Sequence, residues 1–223
     1  MKKQIISSTL FLLLFLSFSL VSIGQQVKVA TKDGQFYFGE AKLPSIIQRS
    51  INVTMETGKV KLLSKDISYI IAWGEKQDST KSYKLIYTPY RQYTLFDKEG
   101  KKISNDMIWL IEVDKSENIT LYKSADDYKI NKNGDLLFIM HKNKAGMSGD
   151  KCYYMQKILE ECPTLISYAQ SEYIYPYNIF KTNGIRYFED CPSLVNMIEN
   201  KELKDNTIKD VLLLYDKCME EEK

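Results

Sequence analysis

The chain has 223 residues, of which 44% are hydrophobic and 27% charged, with 31 basic side chains against 29 acidic ones. Its charge is so evenly balanced that no global electrostatic attraction to nucleic acid or to an anionic membrane surface exists. The length suits one domain or two small ones.

Lys2 and Lys3 precede an apolar run from Ile5 to Ile23, and Ser22-Ile23-Gly24 places small residues at the −3 and −1 positions of a cleavage site. This pattern predicts a secretory signal peptide over residues 1–24, cut after Gly24, with an uncleaved anchor as the alternative. No cysteine follows the run, which argues against a lipoprotein anchor. The two lysines leave with the leader, so 31 basic groups become 29, equal to the acidic total. The expected location is therefore periplasmic or secreted, with no membrane contact after cleavage.

From Val27 to His141 the punctuation is Asp33-Gly34, Thr57-Gly58, Glu99-Gly100 and Asn133-Gly134, each a turn signal between β-forming runs. Val27, Val29 and Thr31 alternate before the first turn, and Phe36 and Phe38 after it, which predicts a hairpin. Ile51, Val53 and Met55 face Val60 and Leu62 across the second. Further strands are expected over Ile67 to Trp73, Tyr83 to Tyr87, Arg91 to Phe96, Met107 to Val113, Ile119 to Tyr122 and Leu136 to His141. The unequal spacing of the turns favours an antiparallel meander or barrel over a repeat solenoid.

The last third carries a repeated phrase, Glu161-Cys162-Pro163-Thr164-Leu165-Ile166 and Asp190-Cys191-Pro192-Ser193-Leu194-Val195. A residue before proline leaves the α region and proline suits the first helical position, so each phrase reads as a helix boundary. Cys152, Met155, Leu159 and Cys162 recur at helical spacing and predict one amphipathic helix beginning near Ser148 to Asp150. Ile208, Val211, Leu212, Tyr215, Cys218 and Met219 form a second face, with Asp205 or Asn206 as its N-cap. The fold class expected is α+β. A β-rich region over 25–146, with a small barrel over 27–73, is followed by a helical region over 147–223.

An even number of cysteines in an exported chain predicts disulfides. If Cys152 to Cys162 is one helix, ten residues at ~1.5 Å each hold the two apart, which excludes that bond and, with all four paired, excludes Cys191–Cys218 as well. Cys162–Cys191 with Cys152–Cys218 is preferred, Cys152–Cys191 with Cys162–Cys218 is the other pairing, and four buried thiols are the alternative to both.

Catalytic signals are sparse. His141 is the single histidine, no Gly-x-Ser-x-Gly elbow accompanies it, and it reads as a loop residue. The cysteines contain no C-x-x-C pair for zinc or thiol exchange, and no glycine-rich nucleotide motif occurs. Asn131, Asn133, Gly134 and Asp135 imitate part of a calcium loop, but Lys129 stands where that loop opens with aspartate, so a hairpin turn is expected. Asp126-Asp127 reads as a solvated turn. No metal or cofactor is expected. Tyr173, Tyr175, Tyr177 and Phe180, around Pro176, form an aromatic connector that reads either as core or as a ligand-binding surface. Tyr87, Tyr90 and Tyr93 are open to the same two readings.

The leader and the Gln25-Gln26 beyond it resemble exported proteins of Bacteroidota-type bacteria, as does the order of strands followed by a Cys-Pro-Leu segment. Lys32-Asp33-Gly34-Gln35-Phe36-Tyr37-Phe38-Gly39 and Asp66-Ile67-Ser68-Tyr69-Ile70 resemble parts of a small SH3-like or Sm-like barrel, without the Arg-Gly element of the latter. These resemblances imply no activity. The function expected from sequence is a non-catalytic envelope module binding a protein, peptide or glycan, with a carboxylate hydrolase and a thiol-disulfide exchange protein as alternatives.

Overall fold

The computed structural model describes residues 24–74, 81–93, 101–124, 126–139, 152–168 and 177–221. Its strands are β1 (Gln25–Thr31), β2 (Phe36–Ala41), β3 (Ser50–Met55), β4 (Gly58–Leu63), β5 (Ile67–Trp73), β6 (Ser82–Tyr93), β7 (Lys101–Lys115), β8 (Ile119–Lys123), β9 (Tyr128–Ile130), β10 (Leu136–Phe138), β11 (Cys152–Lys157) and β12 (Thr164–Tyr168). Three helices follow, α1 (Tyr177–Tyr187), α2 (Pro192–Glu199) and α3 (Ile208–Glu221).

The N-terminal hairpins form where alternation and turn chemistry coincide. Val29 pairs with Tyr37 across Asp33-Gly34, and Val53 pairs with Val60 across Thr57-Gly58. Gly34 has φ 86°, a left-handed value that other residues adopt at a cost. Gly39 is needed for another reason, since a Cβ there would lie 2.2 Å from the Thr54 carbonyl oxygen where β2 meets β3. The strands expected over Tyr83 to Tyr87 and Arg91 to Phe96 are joined in one long β6, and residues 94–96 lie outside the described residues. Its register against β7 shifts between Pro89 and Arg91, at a residue with no N–H for the ladder.

Ten strands form one sheet in the order β12-β11-β8-β7-β6-β5-β1-β2-β3-β4, while β9 and β10 pair separately. A further parallel contact joins β12 to β6 at Thr164 and Arg91, where the Arg91 N–H donates to the Pro163 carbonyl at 2.8 Å. That contact closes β6, β7, β8, β11 and β12 into a five-stranded barrel, and β1 to β5 extend the sheet outside the ring. A five-stranded ring has space only for side chains, so the face covered by helices is its outside. Leu121, Tyr153, Met155 and Ile166 form that outer face and pack under Phe180, Tyr187, Leu194, Ile198 and Val211 of the helical layer. Ile108, Leu110, Tyr122, Cys152 and Tyr154 fill the inside. A third core, including Val29, Val53, Ile70, Leu85 and Trp109, lies between the long strands and the N-terminal ones.

Two expectations from sequence are corrected here. The α+β class with a helical region from residue 147 gives way to a mainly β fold, with 49% of the described residues in strands and 22% in helices. Cys152, Tyr153, Tyr154 and Met155 are all buried because one pair faces the barrel interior and the other the helices. A strand buried on both faces loses its alternation, and the helical spacing of Cys152, Met155, Leu159 and Cys162 was coincidental. Leu159 is 94% exposed in the turn after β11. The first Cys-Pro phrase accordingly leads into strand β12, whereas the second opens helix α2, with Cys191 as N-cap and Pro192 at its start.

The buried face of α3 is the one its periodicity predicts, but the cap lies one residue beyond Asn206. The Asp210 carboxylate accepts from the Thr207 backbone N–H at 2.7 Å, while the Asp210 N–H lies 3.4 Å from the Thr207 hydroxyl. This reciprocal box satisfies helix-end donors that Asp205 and Asn206 leave alone.

Burial also sets how the fold responds to alkali. It holds the phenols of Tyr128, Tyr154 and Tyr187 well above their ordinary range, and pushes Tyr122 up to about 12. Negative neighbours, such as Glu160 beside Tyr187, add to the effect. In the unfolded chain these groups ionise near pH ~10, so above that pH the unfolded state holds fewer protons and stability falls. The stability that these neutral phenols contribute is complete below pH ~10 and declines above it by about 1.4 kcal/mol per pH unit for each phenol still protonated in the fold. Urea midpoints measured between neutrality and alkali are expected to drop steeply. Ionisation of Tyr128, Tyr154 and Tyr187 near pH ~10 with the fold intact, read residue by residue by NMR, would contradict this.

Candidate functional site

One end of the barrel is open. The C-terminal parts of β6 and β12 and the N-terminal parts of β7 and β11 surround a cavity of about 580 Å³, and the β2–β3 loop forms its remaining wall. The strands supply Tyr87, Tyr90, Gln92, Asp106, Met107, Ile108, Cys152, Tyr154, Leu165 and Tyr168, and the loop supplies Ile46, Ile47 and Arg49. The volume falls within the ~300–1,000 Å³ usual for small-ligand sites.

The loop is held in place from below by Trp109. The Trp109 backbone N–H donates to the Ile46 carbonyl at 2.9 Å, and its indole N–H donates to the Gln48 carbonyl at 2.9 Å and lies 3.2 Å from the Ser64 hydroxyl. Tyr128 adds a hydrogen bond from its hydroxyl to the Pro44 carbonyl. Ile46 then packs on the barrel interior, while Ile47 stands 72% exposed at the rim.

Within the mouth, Tyr90 meets Tyr154 edge to face, with ring centroids 5.6 Å apart and an interplanar angle of 82°. Tyr87 leans on Trp109 at 5.3 Å. These contacts set the ring positions without using the phenol groups of Tyr87 and Tyr90. Among the described residues, the hydroxyls of Tyr87, Tyr90 and Tyr168 and the side chains of Arg49, Gln92 and Asp106 have no hydrogen-bond partner in the protein. The mouth thus combines fixed aromatic surfaces with several polar groups open to a ligand.

A wider depression, about 1100 Å³, runs between β2–β3 and the β9–β10 hairpin. Its walls include two three-residue strands and exposed Lys42, Lys59 and Lys132. Recognition geometry is held better by packed strands than by such a hairpin, so the smaller mouth is the stronger site.

Residues beside the two copies of the repeated phrase come together on the helix-covered face. The Lys157 ammonium donates to both oxygens of Asp190 at 2.7 Å and to the Tyr187 carbonyl at 2.6 Å. The Tyr187 hydroxyl donates to Glu160 at 2.8 Å, the Tyr215 hydroxyl donates to Asp190 at 2.7 Å, and Arg91 stands 3.7 Å from Glu160 and 3.8 Å from Glu161. Glu160 and Asp190 are thereby engaged in fastening helices to the barrel, and neither of them lines the two larger cavities. Asp135, in the calcium-like segment, bonds Lys81 at 2.8 Å, and Asn131 accepts the N–H groups of Asn133 and Asp135 across the β9–β10 turn. Asp126 and Asp127 border a small cleft of about 220 Å³ beside Lys42. Among the described residues, no group of three or more His, Cys, Asp or Glu is placed to hold a metal ion.

The cysteines differ from the expected pairing. Cys191 and Cys218 form a disulfide, with Cα atoms 6.1 Å apart, while Cys152 and Cys162 are buried thiols. The preferred Cys162–Cys191 and Cys152–Cys218 bonds are therefore absent, and so is the Cys152–Cys191 and Cys162–Cys218 pairing. The exclusion of Cys191–Cys218 required all four to be paired, and it fails because Cys152 and Cys162 serve as small apolar core residues on β11 and before β12. Burial pushes the Cys162 thiol up, against the opposing effect of Arg91, which makes it a poor nucleophile.

Of the aromatic connector, Tyr173 and Tyr175 lie outside the described residues, as does His141. Phe180 is fully buried, and Tyr177 packs against it at 5.9 Å while donating its hydroxyl to the Ile198 carbonyl at 2.8 Å. Both belong to the packing between α1 and α2. The sequence singles out Tyr87 and Tyr90, but it does not reveal Tyr154, Tyr168, Arg49 and Asp106 as partners in one site. The signal for Tyr154 was the Tyr153-Tyr154 pair in β11, obscured by the helical reading, and nothing local marked the other three.

Among the described residues, no helix is long and apolar enough to cross a membrane. Comparison with protein-family models, curated proteins and solved structures finds no match.

Proposed function

We propose that this is an exported, non-catalytic binding protein of a bacterial envelope of the Bacteroidota type, with its ligand seated in the mouth of the barrel. The observation that carries this reading is the mouth itself: tyrosine surfaces held on packed strands, with unengaged polar groups around them. Rigid aromatic side chains with polar tips contribute most to recognition where they are held in place before the ligand arrives. The basic start, apolar run and Ser22-Ile23-Gly24 of the leader support export, and the Cys191–Cys218 bond is consistent with an oxidising compartment.

A fragment screen by NMR tests the binding role and does not require the natural ligand to be identified. Small aromatic and amide fragments are expected to shift resonances of Tyr87, Tyr90 and Tyr168 together, and Tyr168→Ala is expected to remove those shifts. Fragment hits clustered elsewhere, or none at the mouth, would overturn the proposal. Export is checked separately by intact mass, which should show Gln25 as the first residue. A full-length chain retained in the membrane would overturn that part.

A further inference from the structure

We infer that the ligand class of the mouth is a short, neutral saccharide, an inference that rests on the binding role proposed above. Three observations converge on it. The first is charge, since Arg49 is balanced by Asp106 and the cavity offers no net attraction to an anion or a cation. The second is the mixture of surfaces. A sugar ring has an apolar face of C–H groups and an edge of hydroxyls that both donate and accept. Tyr90 and Tyr168 provide ring surface for the first, and Gln92, Arg49 and Asp106 provide the donor and acceptor mixture for the second.

The third observation separates a saccharide from a peptide. An extended peptide is normally bound by adding a strand to a free sheet edge, where main-chain groups supply the affinity. Several described main-chain groups around this end are already used. The Trp109 N–H is held by Ile46 and the Arg91 N–H by Pro163, and the Asn183 side-chain amide donates to the Ile166 carbonyl at 3.1 Å beside the β6–β12 seam. β11 and β12 are hydrogen-bonded to each other up to Cys152 and Tyr168. The groups that the mouth shows without a partner are side chains, which suits a ligand that has no peptide backbone.

Titration calorimetry of the leaderless protein with cellobiose, maltose and diacetylchitobiose, and with a blocked tetra-alanine peptide, tests this. At least one disaccharide is expected to bind, and Tyr168→Ala and Gln92→Ala are each expected to weaken it by roughly tenfold. Phe36→Ala, on exposed β2 outside the mouth, should leave the affinity unchanged, and near-ultraviolet circular dichroism would confirm that every variant is folded. Binding of the peptide alone, lost in Tyr168→Ala, would overturn the saccharide assignment while keeping the mouth as the site. Absence of binding by all three disaccharides would overturn it too. Disaccharide binding that is indifferent to Tyr168→Ala and Gln92→Ala would overturn the mouth itself.

Discussion

Replacing Trp109 by alanine is expected to cost about 3–5 kcal/mol of folding stability, the usual range for removing a large aromatic side chain from a core. Trp109 is 1% exposed, packs among the strands between the barrel and its N-terminal extension, and carries the indole N–H that holds the β2–β3 loop through Gln48 and Ser64. Trp109→Phe separates the two contributions. It keeps most of the packing and removes the donor, so a smaller loss of about 1–2 kcal/mol is expected. The Gln48 carbonyl still accepts from the Ser64 hydroxyl at 2.7 Å, which limits the desolvation penalty. Both variants should loosen the wall bearing Ile46 and Ile47, and amide exchange in that loop should rise in each. Guanidinium unfolding gives the energies. A cost below about 1 kcal/mol for Trp109→Ala would mean that the tryptophan is not the anchor described.

Removing the disulfide is the other large effect expected. Cys191 and Cys218 are 27 residues apart and tie the start of α2 to α3. Closing a loop of that length restricts the unfolded chain by an amount equal to about 3.5 kcal/mol at 25 °C on chain entropy alone. The double variant Cys191→Ala, Cys218→Ala is therefore expected to unfold at markedly lower denaturant, with the helical layer exchanging amide hydrogens before the barrel. Peptide mapping without reductant should recover Cys191 joined to Cys218, and alkylation of the denatured protein should label Cys152 and Cys162. Recovery of Cys162 joined to Cys191 would instead restore the pairing expected from sequence.

Which parts of the fold were legible in the sequence follows from how local their causes are. The β1–β2 and β3–β4 hairpins could be read because Asp33-Gly34 and Thr57-Gly58 lie between alternating residues whose buried face is set by a period of two. The apolar face of α3 could be read because one side of that helix meets the core and the other meets water. Which strands close the barrel could not, since the closing contact joins Arg91 to Thr164 and neither residue carries a local mark of it. β11 was misread because it sits between two cores, leaving no polar alternation to reveal a strand.

The mouth was illegible for the same reason on a larger scale. Its aromatic residues come from β6, β11 and β12, and its loop comes from the N-terminal half, so their adjacency exists only once the ring has closed. The repeated phrase was conspicuous in sequence, yet its first copy leads into β12 and its second opens α2, while residues beside the copies bond each other, Lys157 to Asp190 and Tyr187 to Glu160. Its visible role is fastening of helices to strands. A pattern prominent in sequence thus marks structure here, while the candidate site arises from residues scattered along the chain.

The barrel mouth, and not the carboxylate cluster beneath the helices, is where this protein is proposed to act. Hydrogen–deuterium exchange of the leaderless protein, with and without a small-molecule extract of the cell envelope, tests that most directly. Added protection is expected to be confined to the mouth, at Tyr90 to Gln92, Met107 to Ile108, Cys152 to Tyr154 and the loop bearing Ile46 to Arg49. Protection centred on Lys157, Glu160 and Asp190, or no added protection at the mouth, would contradict it.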